Sequence, residues 1–155
     1  MLLILDSSAF IAFYEELKTP KILCKAVDFG FDIAIPNSVL EEIKKGKTFI
    51  KAKGNINKEI RVVCNCNDDI EKMRNRYPFL GDGEIDVILH GVYFKSRNKE
   101  YCCILDDKKA RRLAEEMKVN FMGTKGLLVF FKNKGLILEE ELKDFLDKLE
   151  NSKFR

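Results

Sequence analysis

Short apolar runs alternate with helix-forming stretches along this chain, and that alternation leaves few folds open to it. Residues 2–5, 31–35, 60–64, 101–105 and 119–122 read as strands, each short and apolar and closed by Asp6, Pro36, Asn65, Asp106 and Gly123 in turn. Helical stretches are predicted over 8–18, 20–30, from Ser38 onward, and over 67–76, 84–97, 107–117 and 124–132. A last helix places Leu142, Phe145, Leu146 and Leu149 on one face. Thr19-Pro20 is a start signal, Gly30 a stop, and Ser38-Val39-Leu40-Glu41 has the form of a capping box. The stretch 44–58 is polar and basic, with Gly46 and Gly54 as breakers, and no element is predicted in it. Strands alternating with helices are βαβ units, and right-handed crossovers put helices on both faces of the sheet. The expected fold is an α/β three-layer sandwich with a central, mostly parallel sheet, one domain over residues 1–155.

Composition bounds the chemistry. Of 155 residues, 46% are apolar and 34% charged, enough for one core and too apolar for a disordered chain. No apolar stretch approaches the ~18 residues of a membrane span, so no membrane partner is expected. The opening Met1 to Leu5 lacks a basic start and meets Asp6 too early for a signal peptide. His90 is the sole histidine, so a His-rich zinc site is excluded and a Ser-His-Asp triad would have to use it. Cys24, Cys64, Cys66, Cys102 and Cys103 make no even framework, which points to a reducing cytoplasm. Cys64-Asn65-Cys66 and Cys102-Cys103 have the look of half-sites for a soft metal. Each lies in or beside an apolar run, where cysteine is an ordinary small hydrophobe. A net charge of +3 is compatible with a nucleic-acid partner.

The acids are the informative residues. Ligands of open parallel sheets bind at the carboxyl ends of the strands. The first strand ends in Asp6 and the fourth in Asp106-Asp107. Glu41 and Glu84 stand in the first turns of helices that follow loops at that same edge. Taken singly, each acid has a structural reading: Asp6 as a cap, Glu41 as the third position of the Ser38 box, Glu84 and Asp106 as complements of helix dipoles. Four acids converging on one cleft raise one another's pKa and call for a cation. Oxygen ligands without His or Cys suit Mg²⁺ or Mn²⁺. Such a metal acidifies a water and neutralises a phosphodiester transition state.

These segments resemble the motifs of the PIN-domain nucleases. Ile4-Leu5-Asp6-Ser7-Ser8-Ala9-Phe10-Ile11 is similar to the first-acid strand, and Ile35-Pro36-Asn37-Ser38-Val39-Leu40-Glu41-Glu42-Ile43 to the second-acid segment. Leu80-Gly81-Asp82-Gly83-Glu84-Ile85-Asp86-Val87-Ile88 resembles the third-acid helix, and Ile104-Leu105-Asp106-Asp107-Lys108-Lys109-Ala110-Arg111 the fourth. The stretch Gly123 to Ile137 looks like a prokaryotic subgroup related to VapC-type toxins. The resemblance implies a metal-dependent endoribonuclease acting on single-stranded RNA, often a homodimer, with an antitoxin protein that blocks the site in VapC-type members. It makes Asp6, Glu41, Glu84 and Asp106 the metal-holding, catalytic acids. The third acid is more often Asp in the family. Asp86, about 200° around the helix from Glu84, faces elsewhere; Asp82 stays open as an alternative, as does Asp107 beside the preferred Asp106. A non-catalytic PIN-like module that binds RNA or protein, and an rRNA-processing nuclease, are the other readings.

Substrate contacts are sought in basic residues. Lys44, Lys45, Lys47, Lys51, Lys53 and Lys58 form a run without an intervening acid, read either as a solvated face or as a border of the cleft that gathers phosphates. Phe49 packs on the core or stacks a base, and Ser8 caps its helix or touches the scissile phosphate. His90, about 240° around the helix from Glu84, is expected to be structural. Phe10, Phe13, Tyr14 and Leu17 form a stripe suited to a core or a dimer interface.

Overall fold

The computed structural model describes residues 1–64 and 67–152. In chain order the elements are β1 (Leu2–Leu5), α1 (Ser7–Tyr14), α2 (Lys21–Phe29), β2 (Asp32–Pro36), α3 (Asn37–Lys44), α4 (Thr48–Ala52) and β3 (Ile60–Val63). They continue as α5 (Asn67–Arg76), α6 (Asp82–Ser96), β4 (Tyr101–Ile104), α7 (Lys108–Glu116), β5 (Phe121–Met122), α8 (Thr124–Asn133) and α9 (Glu139–Asn151).

All strand pairings are parallel, in the order β3-β2-β1-β4-β5. The chain first moves outward from β1 through β2 and β3, then returns to add β4 and β5 on the other side. The carboxyl ends of β1 and β4 therefore flank the point where the order reverses, the place where such sheets leave a crevice. Pairing of Leu5 with Ile104 brings Asp6 level with the Asp106-Asp107 end of β4, and the Asp6 N–H donates to the Ile104 carbonyl at 3.1 Å. Helices cover the sheet on both sides, with α6 lying across β1, β2 and β4, so the fold is the three-layer α/β sandwich expected. Among the described residues no helix is long and apolar enough to cross a membrane.

Burial follows the apolar pattern. Leu3, Ile4 and Leu5 are wholly buried, as are Ile33, Ile35 and Ile104, the mark of strands covered on both faces. Phe10 and Phe13 of the α1 stripe, with Tyr14 and Leu17, lie in the core rather than on an interface. Each such large side chain contributes roughly 1.5–3 kcal/mol. The Tyr14 hydroxyl donates to Asn55 Oδ1 at 3.2 Å. Cys102 and Cys103 are buried small hydrophobes as expected, whereas Cys64 is exposed; Cys66 lies outside the described residues.

Three local expectations are corrected. Ser8 is not the cap of α1: Asp6 Oδ1 accepts the Ala9 N–H at 2.8 Å, and the helix starts at Ser7. Ser38 does not form a capping box, because Pro36 ends β2 and α3 begins at Asn37 without a side-chain cap of its own. Its orphan donor is met from another helix, the Ser38 N–H donating to Asp86 Oδ2 of α6 at 3.2 Å. The basic stretch also contains the short helix α4, held by its buried Thr48 and Ala52, with the Thr48 hydroxyl donating to Glu15 at 3.0 Å.

Gly91 is where α6 meets the sheet most closely. A Cβ there would lie 2.5 Å from Val119 Cγ1 and 2.7 Å from Cys103 Sγ. Alanine should raise helix propensity by ~1 kcal/mol, yet overpacking against two buried side chains costs ~1–3 kcal/mol. We expect Gly91→Ala to lower stability on balance, read as a reduced urea midpoint with an unchanged slope.

Candidate functional site

Asp6 leaves β1 at the switch point and is 1% exposed. Capping α1 takes one of its oxygens and turns the carboxyl toward a cleft of about 270 Å³. Ser7, Ser8, Glu42, Phe79, Gly81, Glu84 and Asp107 line the rest of that cleft. Four acids from four segments thus share one concavity.

The other three are fixed by their own surroundings. Glu42, on α3, accepts from the Ser7 hydroxyl through Oε2 and from the Gly83 N–H through Oε1 at 2.8 Å. Glycine at 83 leaves room for this approach: a Cβ there would stand 2.7–2.8 Å from both Glu42 oxygens, and the end of the Glu42 side chain would have to shift. Glu84, at the third position of α6, reaches back so that its Oε2 accepts the Gly81 N–H at 3.0 Å. Asp107 caps α7, its Oδ1 accepting from the Lys109 and Ala110 N–H groups at 2.8 and 3.0 Å. Every acid is anchored through one or both oxygens by a short helix-terminal or neighbouring contact.

Burial and like charge push the group toward neutrality. The Asp6 carboxyl is pushed up to about 8, first by burial and then by Asp106 and Glu84, against the lowering effect of the Ala9 N–H. Glu84 is raised by burial and by the charges of Asp107 and Glu42, partly offset by the Gly81 N–H. The donor set is oxygen alone, which fits a hard divalent cation such as Mg²⁺ or Mn²⁺. Among the described residues no group of three or more His, Cys, Asp or Glu side chains is set to hold a metal as it stands. Hard cations of this kind keep several of their waters, and those waters can span the gaps between carboxylates.

The remaining sequence candidates do not line this cleft. Glu41 is exposed on α3 and pairs with Lys44 at 3.2 Å; its neighbour Glu42, ~100° around the axis, enters the cleft instead. Asp106 is buried beside Asp6, but both of its oxygens are taken by Thr124 of α8, from the N–H at 2.7 Å and the hydroxyl at 2.6 Å. Burial raises its pKa against those bonds and the nearby Arg111 and Lys125 charges. Asp82 is clamped by Arg74 in a paired contact at 2.7–2.8 Å, which holds its carboxyl below the usual range. Of the lysines, Lys44 faces Glu41, and Lys47 and Lys51 face Glu15 at 3.7 and 2.8 Å. Phe49 packs on the core cluster. His90 is buried, with Nδ1 2.9 Å from the Asp86 carbonyl oxygen. Burial pushes the Cys102 thiol up to about 11 and holds the Cys103 thiol well above its ordinary range, so neither is a ready metal ligand.

Sequence reading thus missed Glu42 and Phe79 in the cleft. Glu42 had a usable signal in the Glu41-Glu42 doublet, where helix phase alone separates the two. Phe79 carried only the Tyr77-Pro78-Phe79 turn pattern.

Comparison with known proteins gives one family. A family model described as a PIN domain matches residues 2–155. No curated protein matches the chain.

The buried Asp6 sets a pH dependence. Between its ordinary 3.8 and the folded value near 8, the native state keeps a proton that the unfolded chain has released, so stability falls as pH rises through that window. Asparagine retains the cap oxygen and removes the charge. In metal-chelated protein, Asp6→Asn should be more stable than the parent at pH 8, by on the order of a few kcal/mol. The difference should shrink toward pH 4 in thermal melts.

Proposed function

The chain belongs to the PIN-domain family, a nuclease fold, and from that premise we propose an Mg²⁺- or Mn²⁺-dependent endoribonuclease that hydrolyses phosphodiester bonds of single-stranded RNA. The observation that carries this reading is the cleft at the β1–β4 switch point, which Asp6, Glu42, Glu84 and Asp107 line together. A bound divalent ion supplies charge neutralisation at the phosphate and a lower pKa for the attacking water.

The protein's part is to hold and orient. Asp6 and Glu84, whose pKa values are raised first by burial and then by neighbouring carboxylates, are the acids that gain most from a cation and would hold it. Asp107 joins them from the start of α7, keeping one oxygen outside its cap bonds. Glu42, fixed by Ser7 and Gly83, would bind through water and keep the Ser7 hydroxyl turned inward. Ser8, exposed and uninvolved in capping, is free to donate to a phosphate oxygen. Asp106 acts through Thr124, tying the end of β4 to the start of α8 so that Asp107 is presented correctly.

The resemblance to VapC-type members supports the finer reading of a toxin that works in the cytoplasm as a homodimer and is held by an antitoxin protein. One observation favours the alternative of a non-catalytic binding module: among the described residues, no three acids are already set for a metal. Mn²⁺ separates the two. A metal-binding nuclease should gain thermal stability with Mn²⁺, ~2.7 kcal/mol at a hundredfold excess over Kd, and a module without chemistry should gain none.

Cleavage of a labelled single-stranded RNA in Mn²⁺ should fall ~100-fold in each of Asp6→Asn, Glu42→Gln and Glu84→Gln. Glu41→Gln should stay within about twofold of the parent, as an exposed substitution does. Equal loss in Glu41→Gln and none in Glu42→Gln would overturn this assignment of the second acid.

A further inference from the structure

Beside the acid cleft, and sharing one wall with it, lies a second groove of about 270 Å³ lined by Tyr77, Phe79, Lys109, Arg112, Leu113 and Glu116. The shared wall is Phe79, a large apolar ring left 56% exposed. An exposed aromatic costs hydration free energy, and this one is held in place. The turn Tyr77-Pro78-Phe79-Leu80 closes with the Leu80 N–H donating to the Tyr77 carbonyl at 3.1 Å, Pro78 sits at its second position, and buried Leu80 anchors it. The Tyr77 and Phe79 rings meet edge to face with centroids 6.2 Å apart. Cations surround them: Lys109 Nζ is 5.2 Å from the Phe79 centroid, and the Arg76 guanidinium 5.6 Å from that of Tyr77.

A rigid exposed ring flanked by cations, next to a place where a phosphate is handled, is the composition of a stacking platform for an unpaired base. We propose that Phe79, with Lys109 and Arg112, forms a subsite that stacks the nucleobase next to the scissile phosphate of a single-stranded RNA. The inference rests on the reading of the acid cleft as a phosphodiesterase site and adds what positions the strand there. The continuity of the two concavities through Phe79, and the two groove cations Lys109 and Arg112 against the single acid Glu116, point to a phosphate-bearing strand as the occupant. The groove lysines proposed from the sequence, Lys44, Lys45 and Lys47, line neither concavity.

The test is binding of a short fluorescein-labelled oligoadenylate by anisotropy, with Glu84→Gln as background so that the strand stays intact. Phe79→Ala should weaken binding about tenfold and Phe79→Trp should not, as expected for one base stack. A duplex of the same length should bind without sensitivity to residue 79, its bases being already stacked. Thermal melts serve as the folding control. Unchanged affinity in Phe79→Ala, or no binding by the background protein, overturns the subsite and leaves the groove to a protein segment. Cleavage by the parent with unchanged binding in Phe79→Ala would remove the subsite and keep the nuclease. Binding that depends on Phe79 in a protein that never cleaves would do the reverse.

Discussion

Asp6 sits where the central strand ends and the strand order reverses, and it is almost fully withdrawn from water. Taking a carboxylate out of water is costly, and the cost here is met only in part by an amide hydrogen bond at the start of α1. The rest of the site is arranged around that debt of charge. Glu84 and Asp106 add to the repulsion, while among the described residues no basic side chain lines the cleft. A pocket of this kind is stable when protonated or when a cation enters. The chemistry proposed for it follows from the second condition.

The acids come from helices that are themselves tied together. Asp86 of α6 serves the start of α3, and the Gly83 amide at the other end of the same helix turn serves Glu42 of α3. Ser7 of α1 closes the loop through Glu42. Three helices therefore meet through side-chain-to-backbone contacts just above the sheet edge, so the positions of Glu42, Glu84 and Asp6 are set jointly. Preorganisation of this sort is what an acid site needs if its members are not to relax apart in the absence of an ion.

Much of the fold was legible because strand and helix periods differ and because Asp6 and Asp106 mark strand ends. The order of the strands was not among the expectations, since right-handed crossovers fix which face a helix covers and leave open on which side each new strand is added. What sequence could not settle was phase and competition. Ser38-Val39-Leu40-Glu41 satisfies the pattern of a capping box, yet the Asp86 carboxylate from a distant helix accepts the Ser38 N–H, the cap position falls two residues earlier at Pro36, and Glu42 rather than Glu41 enters the cleft. Asp106 and Asp107 are adjacent and chemically identical, and only their partners tell them apart: Thr124 takes both oxygens of Asp106, while Asp107 keeps one oxygen outside its cap bonds. Lys47 and Lys51 looked free because Glu15, their partner, lies far back in the chain. Each miss has the same physical origin: a tertiary partner that local sequence does not display.

The contact between Gly83 and Glu42 carries an evolutionary constraint. A side chain at position 83 would meet both oxygens of the acid opposite, so a substitution there displaces the flexible end of residue 42 from the cleft. Among homologues, then, the two sites should covary, with a bulkier amino acid at 83 accompanied by a smaller, neutral or reoriented one at 42.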